Sequence, residues 1–104
     1  MNKKISDDEF NVLRKISVNP TAPQRELADN LGFSLGKLNY CLKELKLKGL
    51  VKLNNFKKNR NKIGYLYILT PRGIAAKTKL TINFMNRKMR EYDELRSELK
   101  NKKP

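Results

Sequence analysis

The sequence of 104 residues has no histidine and no tryptophan, and its one cysteine is Cys41. A lone cysteine excludes an intramolecular disulfide, and without histidine no set of zinc ligands can be assembled from the usual donors. No Gly-rich phosphate loop is present. No metal, no cofactor and no catalytic residues are therefore expected. No apolar run approaches the roughly 20 residues of a membrane span. Lys3 and Lys4 are not followed by the apolar stretch of a secretory signal. These absences predict a cytoplasmic chain with no membrane partner, and Cys41 is read as a buried thiol between Leu38 and Leu45.

Acidic residues are scarce too. Ten Asp and Glu stand against 24 Lys and Arg, a net charge of +14. Such an excess predicts attraction to a polyanion. Its placement sharpens that prediction, because from Leu45 to Arg90 there are 13 cationic residues and no acid. An acid-free basic span is the footprint of a surface that meets phosphates.

Helix signals fill the first half. Ser6 and Glu9 have capping-box spacing, Ile5 and Phe10 stand where a hydrophobic staple would sit, and Asp7–Glu9 suit a helix N-terminus. A first helix is expected over about 7–17, with Phe10, Leu13 and Ile16 facing inward. Thr21 and Gln24 repeat the capping spacing around Pro23, which predicts a second helix over about 22–31 ended by Gly32. Ser34 caps a third, in which Leu35, Leu38, Leu42 and Leu45 share one buried face and Gly49 is the stop. Residues 50–56 and 65–69 read as strands joined by a basic loop over 57–64. Thr70-Pro71 opens a helix that no proline interrupts until about Lys100.

Helix, short helix, glycine turn, helix, strand, basic loop and strand is the winged helix-turn-helix order. The expected fold class is mostly α with a small β-hairpin (α+β). Residues 1–70 would form the DNA-binding domain, 71–100 a long C-terminal dimerisation helix and 101–104 a disordered tail. In that geometry helix 34–48 enters the major groove, presenting Ser34, Gly36, Lys37, Asn39, Tyr40 and Lys43. Asn pairs with adenine edges and Lys with guanine or phosphate. Gln24 and Arg25 would lie near phosphate. Lys57, Lys58, Asn59, Arg60 and Lys62 would grip the backbone or the minor groove, with Arg60 best suited to insertion. Ile82, Met85, Met89, Tyr92, Leu95 and Leu99 form an apolar seam that no other element covers. A basic half, Lys77–Arg90, precedes an acidic half, Glu91–Glu98, so antiparallel pairing into a homodimer is expected. Such a dimer would read a pseudo-palindromic operator in double-stranded DNA. Two other functions fit the residues: a winged protein binding RNA or DNA without specificity, and a protein-interaction adaptor.

The stretch TAPQRELADNLGFSLGKLNYCLKELKLKGLVKL, from Thr21, resembles the helix-turn-helix of the MarR family. The later run GYLYILTPRGIAAKTKLTINFMNRKMREYDELRSEL resembles a compact subgroup, the EPS-associated transcriptional regulators. That resemblance implies a bacterial transcriptional regulator linked to exopolysaccharide or capsule gene clusters. Ile68, Leu69, Thr70 and Gly73 match the family's strand-to-helix transition, which implies a structural role for them. The acidic-and-arginine wing pattern of the wider family is replaced by KKNRNK. The ligand pocket of longer members is not carried over.

Overall fold

A computed structural model describes residues 4–59 and 62–101, with side chains outside 55–65. Its elements are α1 (Asp7–Val18), α2 (Gln24–Leu31), α3 (Leu35–Leu47), β1 (Val51–Asn59), β2 (Lys62–Leu69) and α4 (Pro71–Asn101). The order is that of the winged helix-turn-helix expected from sequence.

Local chemistry sets the first start. Ser6 Oγ accepts from the Glu9 amide at 3.1 Å, and Glu9 Oε1 accepts from the Ser6 amide at 3.2 Å, so the capping box is complete. α1 then buries Phe10, Val12, Leu13 and Ile16.

The second start differs from expectation. Thr21 and Gln24 form no capping box, and Pro23 is itself the N-cap, with no side-chain cap bond. The reason lies in the ring. It disfavours helical backbone at the preceding residue, which moves Ala22 out of the helix. Ala22 instead donates to the Asn19 carbonyl at 3.2 Å in a turn and is buried in the core. α2 packs Leu27 and Ala28 inward and ends at Gly32, whose φ of 71° is left-handed. That conformation strains any residue with a Cβ and lets Phe33 donate to the Ala28 carbonyl at 2.9 Å.

α3 starts as its sequence predicts, with Ser34 Oγ accepting from the Lys37 amide at 3.1 Å. Leu38, Cys41, Leu42 and Leu45 are buried. Leu35, expected on that face, is 40 % exposed. It is the first residue of the helix, at the edge of the stripe, where only an open groove against α2 adjoins it.

β1 and β2 pair antiparallel, from Val51↔Leu69 to Asn59↔Lys62, with an irregularity between Lys57 and Asn59. The expected loop over 57–64 is therefore mostly strand. A ladder joins backbone groups and does not require apolar alternation, so polar composition was a poor guide here.

Thr70 fastens α4 to the rest. Its hydroxyl donates to the Gly49 carbonyl at 2.7 Å and accepts from the Gly73 amide at 3.0 Å. Its own amide donates to the Leu50 carbonyl at 3.0 Å. Gly73 passes so close that a Cβ there would sit 1.9 Å from the Leu50 carbonyl oxygen. One helical stretch later Phe84 meets Phe10, with ring centroids 6.3 Å apart. From Ile82 to Asn101 every residue is exposed. α4 has 31 residues, about 46 Å of helix, and the molecule is 69 Å long but only 31 × 21 Å across.

The core joins α1, α2, α3 and the start of β1, with Tyr67 and Leu69 of β2 and Ala76 of α4 against it. One ion pair is sunk into its edge. Lys48 Nζ lies 2.6 Å from Glu9 Oε1, with side chains 14 % and 7 % exposed. The same ammonium donates to the Lys4 carbonyl at 2.9 Å. The C-terminal end of α3 is thus held to the N-terminal end of α1.

Candidate nucleic-acid interface

The buried stripe of α3 leaves its opposite side free. Gly36, Tyr40, Lys43 and Leu47 recur at four, three and four residues, one face of an α-helix. Asn39 and Lys46 flank it on one side, Lys37 and Glu44 on the other. Tyr40 is 65 % exposed and Leu47 77 %. No described part of the chain covers this face. It carries three lysines, and Glu44, its one acid, is half-buried.

Of the residues singled out by sequence, Gly36, Lys37, Asn39, Tyr40 and Lys43 all lie exposed on α3. Ser34 is exposed as well, but its oxygen is occupied by the cap. Arg25 joins Ser34: an open groove between α2 and α3 is lined by Arg25, Asp29, Phe33, Ser34 and Leu35. Gln24 is turned elsewhere, half-buried in a small cleft with Ile16, Asn19, Leu66 and Tyr67. Lys57, Lys58, Asn59 and Lys62 have strand backbone, but their side chains lie outside the described residues, and Arg60 lies outside them altogether.

Lys37 has partners within the chain. Its ammonium lies 3.2 Å from Asp8 Oδ2, both side chains 48 % exposed, and 4.2 Å from the centre of the Phe33 ring. An exposed pair of this kind contributes about 0–1 kcal/mol. Exchange of the carboxylate for a phosphate therefore costs little.

Sequence reasoning missed Leu47 and Lys46, which extend the open face by a turn. Continuing the spacing of Gly36, Tyr40 and Lys43 would have found Leu47. Leu47 belongs neither to the leucine stripe expected to be buried nor to the polar set expected on the open face.

Cys41 is buried on the inner face of α3. Burial, then the nearby Asp8 and Glu9 charges, raise its thiol above the ordinary value, with Lys37 and Lys48 opposing more weakly. Such a thiol is protonated and poorly nucleophilic at neutral pH. Among the described residues no cluster of three or more metal-ligating side chains occurs. No helix among them is long and apolar enough to cross a membrane.

Residues 9–52 match the family described as winged helix-turn-helix DNA-binding. This span contains α2, the Gly32 turn and all of α3. The fold as a whole is similar to solved structures of transcription regulators. One is the MarR family transcription regulator SP03579, with TM-score 0.71 and 19 % identity over 94 % of this chain and 71 % of that one. Another is the zinc-responsive MarR family member ZitR of Lactococcus lactis, with TM-score 0.69 and 20 % identity over 91 % of this chain and 63 % of that one. A ZitR mutant in complex with DNA matches with TM-score 0.69 and 19 % identity, over 90 % and 62 % of the two chains. This chain thus spans roughly two thirds of the length of these regulators. No curated protein sequence matches it.

Proposed function

We propose that this chain is a transcriptional regulator of the MarR type that binds double-stranded DNA sequence-specifically as a homodimer. The observation that supports this most is the open face of α3. It carries Gly36, Asn39, Tyr40, Lys43 and Leu47 on the second helix of a helix-turn-helix, within the span matched as DNA-binding. Asn39 and Lys43 have the chemistry to read base edges, and Tyr40 and Leu47 offer apolar surface to thymine methyls. Arg25 and the cations Lys57, Lys58, Arg60 and Lys62 are assigned to the sugar-phosphate backbone, which fixes register without reading sequence. A regulator of this kind works in the cytoplasm of a bacterium, and the operator is pseudo-palindromic. Its target is an exopolysaccharide or capsule gene cluster, a reading supported by the resemblance of residues 64–99 to that subgroup.

Selection of bound sequences from a random DNA pool tests the reading. Enrichment of one symmetric motif is the expected result. No enrichment, or equal binding to RNA at the same salt concentration, overturns it. Mapping the motif upstream of polysaccharide genes tests the target separately.

A further inference from the structure

We infer that α3 specifies its half-site through thymine methyl groups and adenine rather than guanine, and that Gly36 is the specificity residue that makes room for a methyl at the start of the helix. This base preference rests on the DNA-binding reading above and adds the composition of the operator to it.

Gly36 has no packing reason. A Cβ built there would meet no described atom nearer than Ser34 Oγ, at 4.0 Å. Its backbone is helical, and its φ is not among the positive ones. Glycine is a poor helix former, yet neither a neighbour nor a backbone angle requires it here. The contrast is with Gly73, which the Leu50 carbonyl dictates. The space at Gly36 opens at the N-terminal end of the exposed face, the end of a recognition helix that contacts base edges.

The rest of the face has few groups that select a G·C pair. None of the chain's arginines lies on α3, and arginine or lysine to guanine is the commonest specific contact. Of the three lysines beside the face, Lys37 is held aside. Its ammonium lies 3.2 Å from Asp8 Oδ2 and 4.2 Å from the centre of the Phe33 ring. Lys46 is on the opposite flank, which leaves Lys43 as the one cation in the middle. Glu44 is the acid of α3 that could accept from a cytosine amino group, and it is half-buried.

What remains suits A·T pairs. Tyr40 is 65 % exposed and Leu47 77 %, and apolar surface in the major groove packs on the thymine C5 methyl group. Asn39 can bond bidentately to adenine. From Gly36 to Leu47 the face runs about 16.5 Å along the helix, roughly five base-pair steps at 3.4 Å each. Lys43 allows one guanine in that window. The half-site under α3 is therefore A·T-rich, with at most one G·C pair.

Uracil in place of thymine tests this, because it removes the methyl group and keeps the base pair and the minor groove. The whole chain is titrated with the operator selected from the random pool, each thymine of a half-site being replaced by uracil in turn. A methyl that packs on α3 is expected to be worth about fourfold in affinity, the equivalent of one buried carbon. The loss at one position should vanish in Leu47→Ala, and the loss at another in Tyr40→Ala. Gly36→Ala supplies a second measurement. Its Tm should be no lower than that of the wild type, while operator affinity falls about fivefold or more and uracil becomes preferred to thymine at the pair facing it.

Unchanged affinity for every uracil duplex overturns the inference even if the motif is A·T-rich, because the preference then comes from groove shape. Two or more G·C pairs under α3 also overturn it, and the DNA-binding reading stands. Full operator affinity in Gly36→Ala removes the role given to Gly36. If no motif is selected, the DNA-binding reading itself fails and the base preference falls with it.

Discussion

A single carbonyl oxygen makes Gly73 irreplaceable. A methyl group there would meet the Leu50 oxygen at 1.9 Å, and backbone that is also hydrogen-bonded to Thr70 cannot yield easily. Gly73→Ala is expected to cost about 2 kcal/mol or more, a fall of roughly 8 °C or more in Tm for a chain of this size. The Lys48–Glu9 pair is the second sensitive point. Lys48→Met leaves a nearly buried carboxylate without its cation and should cost about 3 kcal/mol. The double variant Lys48→Met with Glu9→Gln should recover most of that loss in denaturant titration; failure to recover would show that packing of the lysine stem dominates. Cys41 gives a pH signature. Its folded-state value is raised above 9.0, so the unfolded chain releases the proton first as pH rises. The stability it contributes is fully present below about pH 9 and is lost as pH climbs through the folded-state value. Cys41→Ala should flatten that alkaline slope, and a thiol reagent should attack the native wild type far more slowly than the denatured chain. At this scale the sequence disclosed what was local. Ser6 and Glu9 stand three residues apart and their cap was legible, whereas the second bond of Glu9 spans 39 residues and left no periodic trace.

Among elements, α3 was legible almost entirely, because its stop, its cap and its leucine spacing all agree. α2 was misjudged at its start, since the Thr-x-x-Gln spacing and the proline made competing demands and the proline prevailed. The hairpin was under-read for a different reason: a two-stranded ladder is held by backbone groups that every residue carries. The open face of α3 was legible where its residues were polar and illegible at Leu47. That distinction is testable. Lys43→Ala should weaken binding to all DNA sequences and lower the slope of log affinity against log salt by about one if the lysine meets phosphate. Leu47→Ala should leave the salt slope unchanged and cost about 1–3 kcal/mol at T-containing positions if it rests on a thymine methyl. Equal losses on all sequences for Leu47→Ala would assign it to packing instead.

On the scale of the whole molecule, the chain is a small domain carried on one end of a rod, 69 Å overall. α4 runs from Pro71 to Asn101 with no break, and helix length is counted in residues. In the proposed homodimer it would therefore act as a ruler. Eleven residues inserted between Asn86 and Arg87 keep the seam nearly in phase, being close to three turns, and push each domain outward by about 16.5 Å. Sites selected by that variant should have their halves about 33 Å farther apart, roughly ten base pairs at 3.4 Å each, so that both halves stay on one face of the duplex. Sites with unchanged separation would mean that the domains swivel freely on their helices. A regulator built this way changes its preferred operator length by gaining or losing helical turns, while the surface that recognises bases remains untouched.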